Sequence, residues 1–420
     1  MNLELLLLAY GIQNKMCIRD RLRYELLKLW KRPVVWAAIC FVILFHAVNL
    51  GIVANGETKK EDMHWGHVYG GIMDDSWQRS IQTEYQKFTE DKSNQMSKKE
   101  FQEAGEQVGW AQSKIDRLYK NPVNRLTEEA QDMPQYKTLS WAYQNTHFKE
   151  KLSEFVNQEI ERMQQRAPAF DTARIQQAYQ KLENNWEEYR FGYNKGWIVL
   201  QEGPVFMLRT YSIMMIVLLS ILFSQENESH VMETLLTTKN GKKGIQRVKV
   251  KAALISGMLA WCGLLTIHVL LTIFFFGLGD GGTFVQDFIM NVCPYLLTAA
   301  QFFTVQAIIS FSASVVIALC MALIGAYTKK SSTCIIIMVL ILLLPPFANN
   351  TSLQNLVLLH PSNILSGRYL ISSLNYVNIG FTYVRAVYAV PVILLFLSAV
   401  FMILLHIRNP ENHLVLTFED

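Results

Sequence analysis

The chain is poor in cysteine where cysteine would matter most. Its six Cys stand at positions 17, 40, 262, 293, 320 and 334, and none falls between residues 55 and 203, the one long polar stretch. That excludes a disulfide-stapled domain of this size. No CxxC pair and no Cys/His cluster occurs, so zinc-site spacing is missing as well. GxxxxGK[ST], HExxH and GxSxG are absent, which removes a phosphate-cradling loop, a metalloprotease helix and a nucleophile elbow. No pair of carboxylates lies inside a long apolar run, so the usual proton-relay signature is missing. Neither a catalytic residue, a metal site nor a cofactor of its own is expected in this chain, and nothing in it points to nucleic acid.

What the sequence does have is two populations of residues in one chain. Of 420 residues 51% are hydrophobic and the mean hydropathy is +0.15, although 39 Lys and Arg and 35 Asp and Glu are present. The apolar population forms six runs, at residues 33–54, 204–224, 252–278, 295–327, 332–348 and 386–407. A bilayer helix needs about 20 such residues. The fourth run is too long for one straight crossing: at ~1.5 Å per residue it reaches ~50 Å, against a hydrocarbon core of ~30 Å. Its first half carries Gln301, Thr304, Gln306, Ser310, Ser312 and Ser314, which fits a tilted helix or an interfacial piece followed by a span. The fifth run is the shortest and ends at Pro345-Pro346. Without it the carboxy terminus changes side.

Charge placement gives the topology. Residues 1–32 hold seven Lys or Arg and three acids, and residues 225–251 hold six and three. Lys329 and Lys330 follow the fourth run, whereas residues 279–293 contain two Asp and no base. With six spans every basic short loop falls on one side, so the positive-inside rule puts both termini in the cytoplasm, including the tail 408–420. The polar block 55–203 then lies outside.

That block is spread with aromatic residues, Trp65, Trp77, Trp110, Trp141, Trp186 and Trp197 among them, which argues for a packed domain. "SKKE" at Ser97–Glu100 fits a capping box. Ile175, Tyr179, Leu182 and Trp186 recur at helical spacing. The expectation is an all-α membrane protein: six transmembrane helices, with a mainly helical extracytoplasmic domain between spans one and two. His64, His67 and His147 have no ligand spacing and read as surface or packing residues. "GLGDGG", Gly277–Gly282, follows an apolar run and reads as an external turn.

At the amino terminus "KMCIRDR", Lys15–Arg21, resembles translated sequencing-adapter sequence, and residues 1–21 are expected to be non-native or disordered. Over residues 22–32, Leu22, Leu26, Leu29 and Trp30 share one helical face while Arg23, Glu25, Lys28, Lys31 and Arg32 take the rest. This is the pattern of a helix lying in the membrane interface. The polar groups at membrane depth are His46, Asn49, His268, Gln301 and Gln306. Each is a pathway candidate, and interhelical hydrogen bonding is the favoured reading.

The loop 225–251 stands out. Glu226, Glu228 and Glu233 occupy its first part, where carboxylates suit a helix amino terminus. Val231, Leu235 and Leu236 form one apolar patch, and "KNGKKG" supplies turn and stop residues. A short helix showing acids and a small apolar patch to the cytosol is a docking element. The series Phe223, Glu226, Glu228, Glu233, Leu235, Leu236, Thr238 and Lys251 resembles the loop after the second span in permeases of type-2 ABC transporters. His230 and Lys239 stand where that family usually has Gly and Pro. The resemblance implies a coupling helix, Glu226–Thr238, that docks on a separate ATPase subunit binding ATP and Mg²⁺. It also implies a second permease copy, as a homodimer or heterodimer, and a partly re-entrant stretch before the sixth span at "LLHPSNILSGRYL". The function expected is the permease subunit of an ATP-driven exporter of a peptide, drug or lipid in the bacterial cytoplasmic membrane, not itself an enzyme. The alternative is a membrane sensor, or a force-transmitting ABC protein, whose external domain binds a ligand or partner.

Overall fold

A computed structural model describes residues 18–54, 59–166, 170–185, 189–228, 245–287, 293–328, 331–343, 360–379 and 382–407. The chain divides into two compact units. One comprises Met1–Gly51, Val199–Thr272 and Phe303–Asp420, the other Ile52–Ile198 and Ile273–Phe302.

Helix α1 spans Ile18–Trp30. Leu29 is buried and Leu22 and Leu26 are half-buried, but Glu25, expected on the polar face, is buried at 6% exposed and Leu27 is exposed, so the two faces are not divided as the sequence suggests. Pro33 opens α2, Pro33–Ala54, at the position where its missing N–H costs nothing. The indole of Trp36 donates to Trp30 O at 2.7 Å and closes the corner. Trp36, Phe41, Leu44 and Phe45 remain exposed on α2, an arrangement suited to hydrocarbon rather than water.

The second unit is built from α3 (Lys59–Val68), β1 (Gly71–Ile72), α4 (Asp75–Glu90), α5 (Lys98–Gln107), α6 (Gln112–Tyr119), α7 (Glu128–Asp132), α8 (Pro134–Thr146), α9 (Phe148–Arg166), α10 (Ala173–Asn184) and β2 (Arg190–Phe191). Local chemistry starts these helices. Asp74 accepts from the Trp77 amide at 2.8 Å. Ser97 and Glu100 form the reciprocal capping box, and Thr127 accepts from the Ala130 amide. Between α4 and α8 the Tyr85 and Tyr143 rings stack at 3.9 Å. Ile175, Tyr179 and Leu182 bury one face of α10, and Tyr179 meets Phe155 of α9 edge-on. β1 and β2 pair antiparallel, Gly71 opposite Phe191.

The structure corrects the extent of this unit. The sequence placed it at 55–203, with 279–293 as a loop between spans, whereas the compact unit is Ile52–Ile198 together with Ile273–Phe302. Tyr189 stacks on Phe284 at 3.7 Å. Asp280 donates its amide to Tyr193 O at 2.7 Å and pairs with Arg190 at 3.1 Å. Tyr193 donates its hydroxyl to Phe276 O at 2.8 Å. Gly277 and Gly279 adopt φ of +70° and +75°, so "GLGDGG" is the tight path that lets this segment return against Tyr193.

Four long helices follow or cross into the first unit: α11 (Lys195–Glu228), α12 (Ile245–Phe275), α13 (Ala299–Tyr327) and, after α14 (Ser331–Leu343), α15 (Pro361–Ser366), α16 (Arg368–Ile371) and the antiparallel pair β3 (Tyr376–Asn378) and β4 (Tyr383–Arg385), α17 (Ala386–Ile407). Small residues let α11, α12 and α13 approach. Ala253, Ser256 and Ala260 are buried, and a Cβ at Gly257 would meet Met215 Cε at 3.0 Å and Ala318 Cβ at 3.1 Å. Close approach through small residues is how helices associate where no hydrophobic drive exists between them. Trp261 donates to Ser310 Oγ at 2.9 Å, and the Tyr211 hydroxyl donates to Ser314 O at 3.3 Å.

Helices therefore dominate, with two short two-stranded ladders beside them that the sequence did not announce. Among the described residues four helices are long and apolar enough to cross a membrane: Pro33–Ala54, Arg247–Phe275, Ala299–Tyr327 and Ala386–His406. The run 204–224 lies inside the unbroken 34-residue α11. Among the described residues the fifth run lies in the 13-residue α14, Ser331–Leu343, ~20 Å at ~1.5 Å per residue. The expected interfacial start of the fourth run is non-helical: Leu297 N bonds back to Tyr295 O at 2.9 Å, Thr298 bridges Phe284, and the helix begins at Ala299.

Candidate functional site

The first turns of α11 carry Leu200, Gln201 and Glu202, and polar side chains from four other elements of the same unit converge on them. His46 of α2 and His268 of α12 approach with Nε2 and Nδ1 2.8 Å apart, both side chains buried. His268 Nε2 lies 3.3 Å from Leu200 O. A carbonyl only accepts, so His268 carries its hydrogen on Nε2 and offers Nδ1 as acceptor. His46 Nε2–H is then the donor, and a chain of two hydrogen bonds runs from α2 through α12 to the backbone of α11.

One residue further on, Gln306 of α13 donates through Nε2 to Gln201 O at 3.0 Å and to Ser366 O at 2.7 Å. Gln306 is fully buried and Gln201 is 1% exposed. Among the described residues Gln201 Oε1 and Nε2 and Gln306 Oε1 form no hydrogen bond. Burying amide groups without partners is costly, which marks this spot as one where packing alone did not choose the residues. At the edge of the cluster Arg368 of α16 reaches Glu202 Oε1 at 3.2 Å. That pair is partly exposed and is worth at most about 1 kcal/mol. Gly367 makes the geometry possible. Its φ of +62° turns the chain between α15 and α16, and a Cβ there would stand 2.9 Å from Gln306 O.

Of the polar residues singled out in sequence, the structure brings His46, His268 and Gln306 onto the same short stretch of α11. Asn49 donates to Phe45 O on its own helix at 2.7 Å and takes no part. Gln301 is exposed at the start of α13, where it exchanges hydrogen bonds with Thr298 as an amino-terminal cap. The sequence reading missed Gln201, Glu202, Ser366 and Arg368. The signal for the first two was a Gln-Glu pair immediately before an apolar run. For the last two it was the polar "HPSNILSGRY" between runs. Of the residues expected from the sequence to dock a partner, Glu226 and Glu228 close α11, and Val231, Glu233, Leu235, Leu236 and Thr238 lie outside the described residues.

Chemically the cluster holds hydrogen-bond donors and acceptors, with no nucleophile beside a base. Among the described residues no three His, Cys, Asp or Glu side chains converge as metal ligands would. No protein-family model matches the chain, and comparison with curated proteins and with solved structures finds no match.

Proposed function

We propose that the chain is the permease subunit of an ATP-driven ABC exporter in the bacterial cytoplasmic membrane. In this reading it has six spans and both termini inside, and the helical unit around residues 59–184 faces outward. A separate ATPase subunit binds ATP and Mg²⁺ and docks on Glu226–Thr238, and a second permease copy completes the pathway for a peptide, drug or lipid. The observation that carries the reading is the charge-graded series from Phe223 to Lys251, placed between two apolar helices. The course of α11 supports it. One unbroken helix joins Gln201 to Glu226, ~38 Å at ~1.5 Å per residue. A push on the docking segment thus reaches the buried polar cluster along a single rod, and the two hydrogen-bond links to α12 and α13 are what such a push strains first.

The test is co-purification of the solubilised protein with the ATPase encoded beside its gene, wild type against Glu226→Arg/Glu233→Arg. A stable complex lost in the double variant is expected. No ATPase in either preparation overturns the proposal.

A further inference from the structure

We infer that the second unit binds an extended cationic peptide in a groove between α3 and α4, whether or not the chain docks an ATPase. The groove has a volume of about 690 Å³, within the ~300–1,000 Å³ usual for a ligand site. Ser80 and Glu84 of α4 form one side, Trp65 and Val68 of α3 the other, and β1 crosses one end. Hydrogen bonds fix these walls in advance. The Trp77 indole donates to Tyr69 O at 2.8 Å, Trp65 stacks on Tyr69 at 5.6 Å, and the Tyr69 hydroxyl accepts from Gln135 of α8 at 3.0 Å. Walls set before binding spare an incoming chain part of the ordering cost.

Three features select the occupant. The first is a strand edge. Met73 N donates to Tyr189 O at 2.7 Å and Gly71 stands opposite Phe191, so these two residues turn their backbone groups toward β2. In an antiparallel ladder the residue between them turns its own groups the other way. Ile72 therefore offers one N–H and one C=O to an added strand, and its side chain, with that of Val68, is more than half exposed at the rim. The second feature is charge. Asp74 and Glu84 line the groove, and among the described residues no Lys or Arg does. Glu84 meets Lys87 at 2.7 Å in an exposed pair, which a ligand cation replaces at little cost. The acids turn away nucleic acid and anionic headgroups, and a second copy of the same groove would set acid against acid. The third feature is spacing. Asp74 and Glu84 stand at the two ends, ~15 Å apart at ~1.5 Å per helical residue, too far to share a metal ion. In an extended chain two side chains four positions apart point the same way and lie ~13 Å apart at ~3.3 Å per residue. A peptide with basic residues at that interval and apolar or β-branched ones between them meets both carboxylates, the strand edge and the apolar rim together.

The experiment uses the full chain in phosphatidylcholine nanodiscs, which expose both faces of the membrane, with empty nanodiscs as the blank. The probe is a fluorescent, capped peptide, Lys-Thr-Val-Thr-Lys, followed by anisotropy. Its isomer Lys-Lys-Thr-Val-Thr keeps the composition and charge but not the interval. Saturable binding of the first peptide is expected. It should weaken roughly tenfold or more for the isomer and for Glu84→Lys, which loses an attraction and gains a repulsion. Ile72→Pro, which removes the N–H offered to the added strand, should weaken it by a similar factor. Equal binding of the isomer would overturn the inference and leave only attraction between net charges. An unaffected Ile72→Pro would overturn it too, since the occupant then adds no strand, and so would the lack of a saturable signal up to roughly 1 mM. If either variant does not fold, the two peptides on the wild-type chain decide alone.

Discussion

Substituting Gly367 by Ala tests the geometry of the polar cluster most directly. Two separate costs follow from the structure. Gly367 has φ of +62°, a region that costs an L-residue roughly 1–2 kcal/mol. A Cβ there would also stand 2.9 Å from the carbonyl oxygen of Gln306 and 3.1 Å from its Cγ. The first atom is backbone within a packed helix and cannot step aside alone. The second leads to the amide that bonds Gln201 O and Ser366 O, so moving it breaks those bonds. Overpacking of this kind costs about 1–3 kcal/mol, and the sum is about 2–5 kcal/mol. Gly109 supplies the control: its φ is +76° and nothing lies within 4 Å of its Cβ, so Gly109→Ala should cost only the conformational part, about 1–2 kcal/mol. Hydrogen exchange read by mass spectrometry reports both regions in one sample. Amides of α13 near Gln306 should exchange roughly 30-fold to several thousandfold faster in Gly367→Ala, at 1.4 kcal/mol per tenfold. Those of α5 should speed up by only about 5- to 30-fold in Gly109→Ala. If Gly367→Ala has no larger effect than Gly109→Ala, the contact with Gln306 is refuted, and with it the account of how Ser366 reaches the cluster.

Other expectations follow from the same packing. His46→Leu, His268→Leu and the double variant should show a coupling of about 0.6–1.7 kcal/mol, the range for hydrogen bonds between membrane helices, in a steric-trapping stability assay; zero coupling rules out the His–His bond. Gly196→Ala places a Cβ onto the carbonyl of Gly277 and should leave the 52–198 unit protease-sensitive, whereas Gly263→Ala, with nothing within 4 Å, should be neutral or stabilising by up to about 1 kcal/mol. Asp74, Asp91 and Glu100 are held below the ordinary carboxylate range, Asp74 first by the Ser76 hydroxyl, Asp91 and Glu100 by the Ser93 and Ser97 amides. A lowered carboxylate pKa stabilises above its unfolded value of about 4 and is lost as pH falls through the folded one. Helical circular dichroism should therefore weaken on acidification, and less so in Asp74→Asn/Asp91→Asn/Glu100→Gln; identical acid profiles would refute these caps.

What the sequence made legible is what short-range physics decides. The capping box at Ser97 and the buried Ile175, Tyr179 and Leu182 of α10 each depend on neighbours three or four residues away, and each is present, while Trp186 of the expected stripe lies outside the described residues. The cluster around Leu200 to Glu202 depends on partners 60 to 105 residues distant for Gln306, and 222 apart for the two histidines. No periodicity encodes such pairings. His46 and His268 were visible only as polar residues in apolar runs, whose cost in hydrocarbon demands a partner without naming it. The packing of residues 273–302 against Tyr189 and Tyr193 was hidden for a related reason. A glycine-rich link after an apolar run reads as a turn, which is consistent with the positive φ of Gly277 and Gly279, but its hydrogen bond to Tyr193 O through the Asp280 amide is a distant pairing that no local pattern encodes. The same logic bears on function. The proposed docking residues were read from local pattern, the polar cluster from tertiary structure, and α11 carries both Glu226 and Gln201. A variant that interrupts α11 between them, such as Ser220→Pro, should uncouple the two. Proline inside a helix removes a hydrogen bond and kinks it. If docking transmits force along this rod, the variant binds the ATPase normally, yet ATP no longer alters hydrogen exchange at Gln201. An unchanged ATP response in Ser220→Pro means that force travels by another route.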